Sequence, residues 1–146
     1  MLNWKKYLIG SIVVFVAYTA AGYLIHEVLL ASAYRQEEVV RLLRPEAEIW
    51  KRMPLGYFAN LVLALVFCYI YTRGVEAGKH WLGQGVRYGL LMATLVSLPT
   101  ALLQYMLYPL PLALAFQWIV YGYGQMLVAG IVVAAIYRLP TGLPRP

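Results

Sequence analysis

Tyr71-Thr72-Arg73-Gly74-Val75-Glu76-Ala77-Gly78-Lys79-His80-Trp81-Leu82-Gly83-Gln84-Gly85-Val86-Arg87-Tyr88-Gly89 is a polar interval set between two long apolar blocks. It gathers Arg73, Lys79, Arg87, the acid Glu76, five glycines and one of only two histidines. Two readings compete for it. A phosphate-binding glycine loop would place it between a strand and a helix and end it in Lys-Ser/Thr, and neither condition is met. A connection between two membrane spans needs only basic residues and flexible turns, and both are present.

The flanking composition decides for the second reading. Apolar residues make up 62% of the 146 residues and charged residues 12%, about half the charged share usual in a soluble domain. The mean hydropathy is +0.67. One domain of this size has too little interior to hide that much apolar surface, whereas a bilayer removes the requirement. The net charge of +6 is not a nucleic-acid signal, because the Lys and Arg sit at the ends of apolar blocks rather than on one face.

Outward from the connection, four apolar runs of spanning length appear: about 7–30, 54–72, 86–108 and 111–137. Each is near the 20 or so residues that cross a hydrocarbon core of about 30 Å. The first is too long for the apolar region of a signal peptide, about 7–15 residues, and reads as a retained span despite Ala31-Ser32-Ala33. Residues 31–53 form an extramembrane helical cap. The first helix is expected to run on past the membrane surface until Pro45 stops it, with Val39, Val40, Leu42 and Leu43 as its greasy side. Glu46–Met53 is expected to be a separate interfacial turn, with Pro54 opening the second span. Pro99 sits within the third span, where Ser97 and Thr100 can offset its lost hydrogen bond. The expected fold is all-α, a four-helix membrane bundle running up-down-up-down.

Orientation follows the positive charges. Lys5, Lys6, Arg73, Lys79, Arg87, Arg138 and Arg145 fall on one side, and Arg35, Arg41, Arg44, Lys51 and Arg52 on the other. Both termini and the 73–85 connection are therefore expected in the cytoplasm. Within the connection, Glu76 is placed to pair with one of Arg73, Lys79 or Arg87.

Chemistry is sought first among polar residues inside spans, which are costly in lipid. Tyr23, His26, Asn60, Gln104, Gln117, Tyr121 and Gln125 make up the candidate pocket. Gln117, Tyr121 and Gln125 follow i, i+4, i+8 spacing and are expected to share a face. Thr94, Ser97, Gln104 and Tyr108 share one on the third span, and Tyr105 and Tyr123 are further lining candidates. The pocket would open on the outer leaflet and take a small amphipathic ligand such as a lipid or quinone. Interhelical hydrogen bonding is the commoner use of such amides and is the default expectation for them. His26 and Glu27, adjacent on a helix and about 100° apart, are not expected to face the interior together. Glu27 is expected to snorkel or meet Lys51 or Arg52.

No cofactor is implied. Bis-histidine haem would need His26 and His80 at one depth, and they belong to opposite faces. No metal site is implied, since Cys68 is the only cysteine and no ligand cluster exists. The chain has no Asp, which removes a Ser-His-Asp triad. The small-residue pairs Ala17/Ala21, Gly85/Gly89 and Gly130/Ala134 allow close backbone approach, within one bundle or between subunits. The leading functional expectation is thus a non-catalytic accessory or assembly subunit, or a homo-oligomer. Its partners would be membrane lipids and a second copy or another membrane protein, with no nucleic acid. Ligand binding or transport in the pocket stands second, and an enzyme using His26 third.

The order Tyr-x-Arg-Gly-x-Glu-x-Gly at Tyr71 to Gly78, followed by Gly85-x-Arg87-Tyr88-Gly89, resembles a loose group of small uncharacterised four-helix bacterial membrane proteins. Those commonly carry an acid where this chain has Gln84. The resemblance covers mainly the second to fourth spans. It implies the four-helix fold and a location in the bacterial cytoplasmic (inner) membrane, and no activity.

Overall fold

The computed structural model describes residues 3–138; the expected cytoplasmic tail with Arg145 lies outside them. Helix α1 (Trp4–Tyr23) passes into a π-helical turn, Leu24–Leu29. The short helices α2 (Ala31–Tyr34) and α3 (Glu37–Val40) follow, then the long helices α4 (Glu46–Gly74), α5 (Trp81–Leu107) and α6 (Leu112–Tyr137). No strand occurs among the described residues. Four helical stretches, Trp4–Leu29, Glu46–Gly74, Trp81–Leu107 and Leu112–Tyr137, are long and apolar enough to cross a membrane.

Local chemistry sets most helix ends. The Asn3 side chain accepts from the Lys6 amide at 3.0 Å and caps α1. Pro45 precedes the first turn of α4, where Glu46 and Glu48 complement the helix dipole. Gly78 takes the one positive φ among the described residues, 78°, in the turn before α5.

Two expectations about the cap are corrected. α1 does not run on to Pro45: the chain bends at Leu30 and continues as two single-turn helices. Their apolar residues explain why, since Leu30, Ala33 and Val39 turn back to bury against Leu110 and Leu114 instead of extending into solvent. Val40, Leu42 and Leu43, expected on the same greasy side, remain exposed. Residues 46–53 are not a separate turn either. They are the first two turns of α4, and Pro54 lies inside that helix. The Arg52 side chain holds both the Glu48 carboxylate, at 3.0 Å, and the Glu48 carbonyl, at 3.1 Å, bracing this stretch.

The packing is tightest between α5 and α6. A Cβ at Gly85 would stand 2.7 Å from the Gly130 oxygen and from Ala134, and one at Gly89 would stand 2.7 Å from the Met126 oxygen. These glycines let the two backbones touch. The small-residue motifs of the third and fourth spans therefore meet each other within one chain. On the other side of α1, Tyr7 donates to the Leu65 carbonyl at 3.0 Å. The larger core, with Val14, Phe67, Cys68, Met126 and Val133, fills the bundle toward the 73–85 connection. The smaller core around Leu30 and Leu114 closes the opposite end.

Candidate functional site

The connection that opened the sequence reading is a closed clasp. The Gln84 amide, 8% exposed, accepts from the Glu76 N–H at 2.7 Å and donates to the carbonyls of Glu76 and Lys79 at 3.0 and 3.1 Å. One side chain thereby satisfies three backbone groups of a turn. Glu76 pairs with both Arg87 and Lys79, where one partner was expected. Their hydrogen bonds, Arg87's the larger influence, hold its carboxyl down to about 2. Arg73 lies elsewhere, over the Tyr69 ring at 5.0 Å. Every polar group here is matched by a neighbour in the same chain, so the clasp reads as architecture.

The opposite end differs. A cavity of about 260 Å³ lies among the π turn, α2, α5 and α6, lined in part by His26, Tyr34, Ser97, Gln104, Trp118 and Tyr121. A second of about 320 Å³ lies between α1 and α4, with Tyr23, His26, Glu27 and Asn60 in its wall. A third of about 520 Å³ lies under the cap, bordered by His26, Glu27, Arg35, Arg44 and Glu46. His26 lines all three. Gln125 lines the first two and donates to the Tyr18 carbonyl at 2.9 Å, so it stands between them.

The π turn produces that placement. The Leu30 amide bonds back five residues to the Ile25 carbonyl at 2.8 Å, so the turn holds one residue more than an α-turn. A wider turn reduces the angle between neighbouring side chains. His26 and Glu27, expected to point apart, accordingly share the second and third cavities. Glu27 forms no ion pair among the described residues, and the expected partner Arg52 is bound to Glu48.

His26 is held from the cap. Its Nδ1 lies 2.6 Å from the Tyr34 hydroxyl, with the two rings stacked at 11°. The Trp118 indole N–H donates to the same hydroxyl at 2.8 Å. Burial pushes the Tyr34 phenol above the usual tyrosine range, with Trp118's hydrogen bond opposing, so the phenol keeps its proton.

The candidate set thus divides. His26, Gln104, Tyr121 and Gln125 border the first cavity, and Tyr23 and Asn60 the second. Asn60 also donates to Thr19 at 3.3 Å, tying α4 to α1. Gln117 borders none of the three, a correction to the expected shared face. Successive steps of four drift by about 40° around a helix, and the lining stripe of α6 instead runs Trp118, Tyr121, Gly122, Gln125. Tyr105 and Tyr108 are exposed, and Tyr123 bonds Thr94 at 2.8 Å, so none of these lines a cavity. Tyr34 and Trp118 were missed. Trp118 carried a usable signal, since an indole N–H in an apolar run needs an acceptor. Tyr34 carried none, because its position depends on the bend at Leu30. No three His, Cys, Asp or Glu side chains among the described residues are grouped to hold a metal ion.

Comparison with protein-family models, with curated proteins and with solved structures found no match in any of the three.

Proposed function

We propose that this chain is a multi-pass protein of the bacterial cytoplasmic membrane that binds a small amphipathic ligand by its neutral polar head. The bundle runs up-down-up-down, with both termini and the 73–85 connection in the cytoplasm and the 31–45 cap outside. Support for insertion comes from the four apolar helices and from outward-facing Ile12, Val16, Phe58, Val66, Leu91, Leu95, Phe116 and Val120, all exposed.

The observation that carries the ligand reading is the cavity of about 260 Å³ lined by uncharged polar groups. It contains no Lys, Arg or Glu, so a phosphate or a carboxylate would be buried there without a counter-charge, at prohibitive cost. Its size is just below the range of about 300–1,000 Å³ that holds a whole drug-sized ligand. A ring or short polar head fits it, with the apolar tail left between the helices or in lipid. A lipid or quinone of that form matches.

This reading moves ahead of the accessory or oligomeric one. The glycine faces that favoured association are occupied inside the chain.

The test is ligand identification from protein purified in mild detergent, by native mass spectrometry, with thermal shift on adding back the extracted species. Gln104→Leu is expected to weaken binding about five- to tenfold, the worth of one hydrogen bond. Gln117→Leu should leave it unchanged. A protein that co-purifies with no apolar small molecule and shows no shift with membrane lipid extract would sink the proposal.

A further inference from the structure

The hydroxyl of Tyr34 stands between an indole and an imidazole, 2.8 Å from Trp118 Nε1 and 2.6 Å from His26 Nδ1. The indole nitrogen has only a proton to give. Tyr34 oxygen must therefore be the acceptor in that bond, and the phenolic proton is left free to point elsewhere. Were His26 to carry a proton on Nδ1, as the other neutral tautomer or as imidazolium, the Tyr34 oxygen would receive two donors and its own proton would lose the partner at 2.6 Å. Donation from Tyr34 into a bare Nδ1 satisfies all three groups. The single proton of a neutral His26 then resides on Nε2.

We infer that Trp118 and Tyr34 are positioning residues that fix His26 as its Nε2–H tautomer, so that the site offers a donor and selects a ligand head ending in an acceptor, such as a ketone or quinone carbonyl. The selectivity rests on the ligand-binding reading above; the tautomer does not. Other titratable groups about His26 are Glu27 on its own turn, Tyr18 and Tyr121 on α1 and α6, and Tyr57 on α4. Arg35, Arg44 and Glu46 border its outer side. Glu27 is the one group that would favour imidazolium, and the bond from Tyr34 works against it by occupying Nδ1. Placement of His26 at the meeting point of three cavities gives a head group a route to it from the cap or from between the helices.

The experiment uses the full chain, with His80→Gln so that His26 is the sole histidine, labelled with ¹⁵N and placed in lipid nanodiscs. Long-range proton–nitrogen correlation spectra at neutral pH read which ring nitrogen bears the proton. The expected spectrum shows protonated Nε2 and bare Nδ1; Tyr34→Phe should give both tautomers, and Trp118→Phe should shift the balance the same way. Circular dichroism and elution volume check that each variant is folded. A dominant Nδ1–H or imidazolium spectrum, or a Tyr34→Phe spectrum identical to the parent, would overturn the relay. Binding is then measured for 2-undecanone and for 2-methyl-1-undecene, which replaces the carbonyl oxygen by a methylene group. The ketone should bind about tenfold more tightly. Equal binding of the two overturns the selectivity alone. If neither binds while Nε2 carries the proton, the ligand-binding reading fails with the selectivity and the relay stands.

Discussion

At Gln84 one amide does the work of a turn's worth of backbone partners, and its replacement leaves those partners stranded. Gln84→Leu removes the bonds to Glu76 N–H and to two carbonyls. The cost is expected to be about 1–3 kcal/mol for the orphaned groups, read as a fall in unfolding temperature in detergent. Glu76 adds a pH dependence. Its folded carboxyl is held at about 2 against an ordinary 4.5, chiefly by the Arg87 hydrogen bond and then by Lys79. A depressed acid stabilises the fold above its unfolded value and loses that stabilisation as pH falls toward its folded one. Melting temperature should therefore decline from about pH 4.5 toward pH 2, with a shallower decline in Glu76→Gln. Because this carboxylate is solvent-facing, the difference is expected to be small and to shrink in high salt.

Among the elements, α5 and α6 depend on contact between bare backbones. Gly130→Ala would press a methyl group onto the Gly85 oxygen, and Gly85→Ala would meet Gly130 oxygen and Ala134 at 2.7 Å. Each should destabilise by about 1–3 kcal/mol, the usual penalty of overpacking. Gly83 lies on the same helix with nothing within 4 Å of an added Cβ. There alanine should stabilise by about 0.5–1 kcal/mol through helix propensity. Thermal melts of the three variants side by side check both signs. The spacing of these glycines was readable in the chain; that they face one another within it was not, because spacing describes one helix surface and says nothing about the partner. Pro54 misled for a related reason. A proline favours the first turn of a helix, but Arg44 and Arg52 gathered on Glu48 support two turns ahead of it. His26 and Glu27 were found by composition, whereas their convergence required a π turn, which has no sequence mark of its own.

On the scale of the whole molecule, the four apolar runs carried the fold because hydropathy over some 20 residues is a summed quantity that single-site errors do not disturb. The site was legible only at its polar residues; the residues that hold it belong to the cap, where burial of Leu30, Ala33 and Val39 decides the path. Topology has a direct test. In a Cys68→Ala background, Arg41→Cys is expected to react with an impermeant maleimide in intact cells, and Lys79→Cys only after permeabilisation. The reverse pattern would invert the proposed orientation.

The extra residue in the Leu24–Leu29 turn bears on how this chain can change length. Removing one residue there would return the turn to α-helical repeat and swing everything beyond it by about 100°. Ala33 and Val39 would leave Leu114, and Tyr34 would leave Trp118. A one-residue deletion at Val28, itself exposed, should thus be far more harmful than any substitution there. The cap is indexed to the bundle by residue count, much as a reading frame is set by a single insertion.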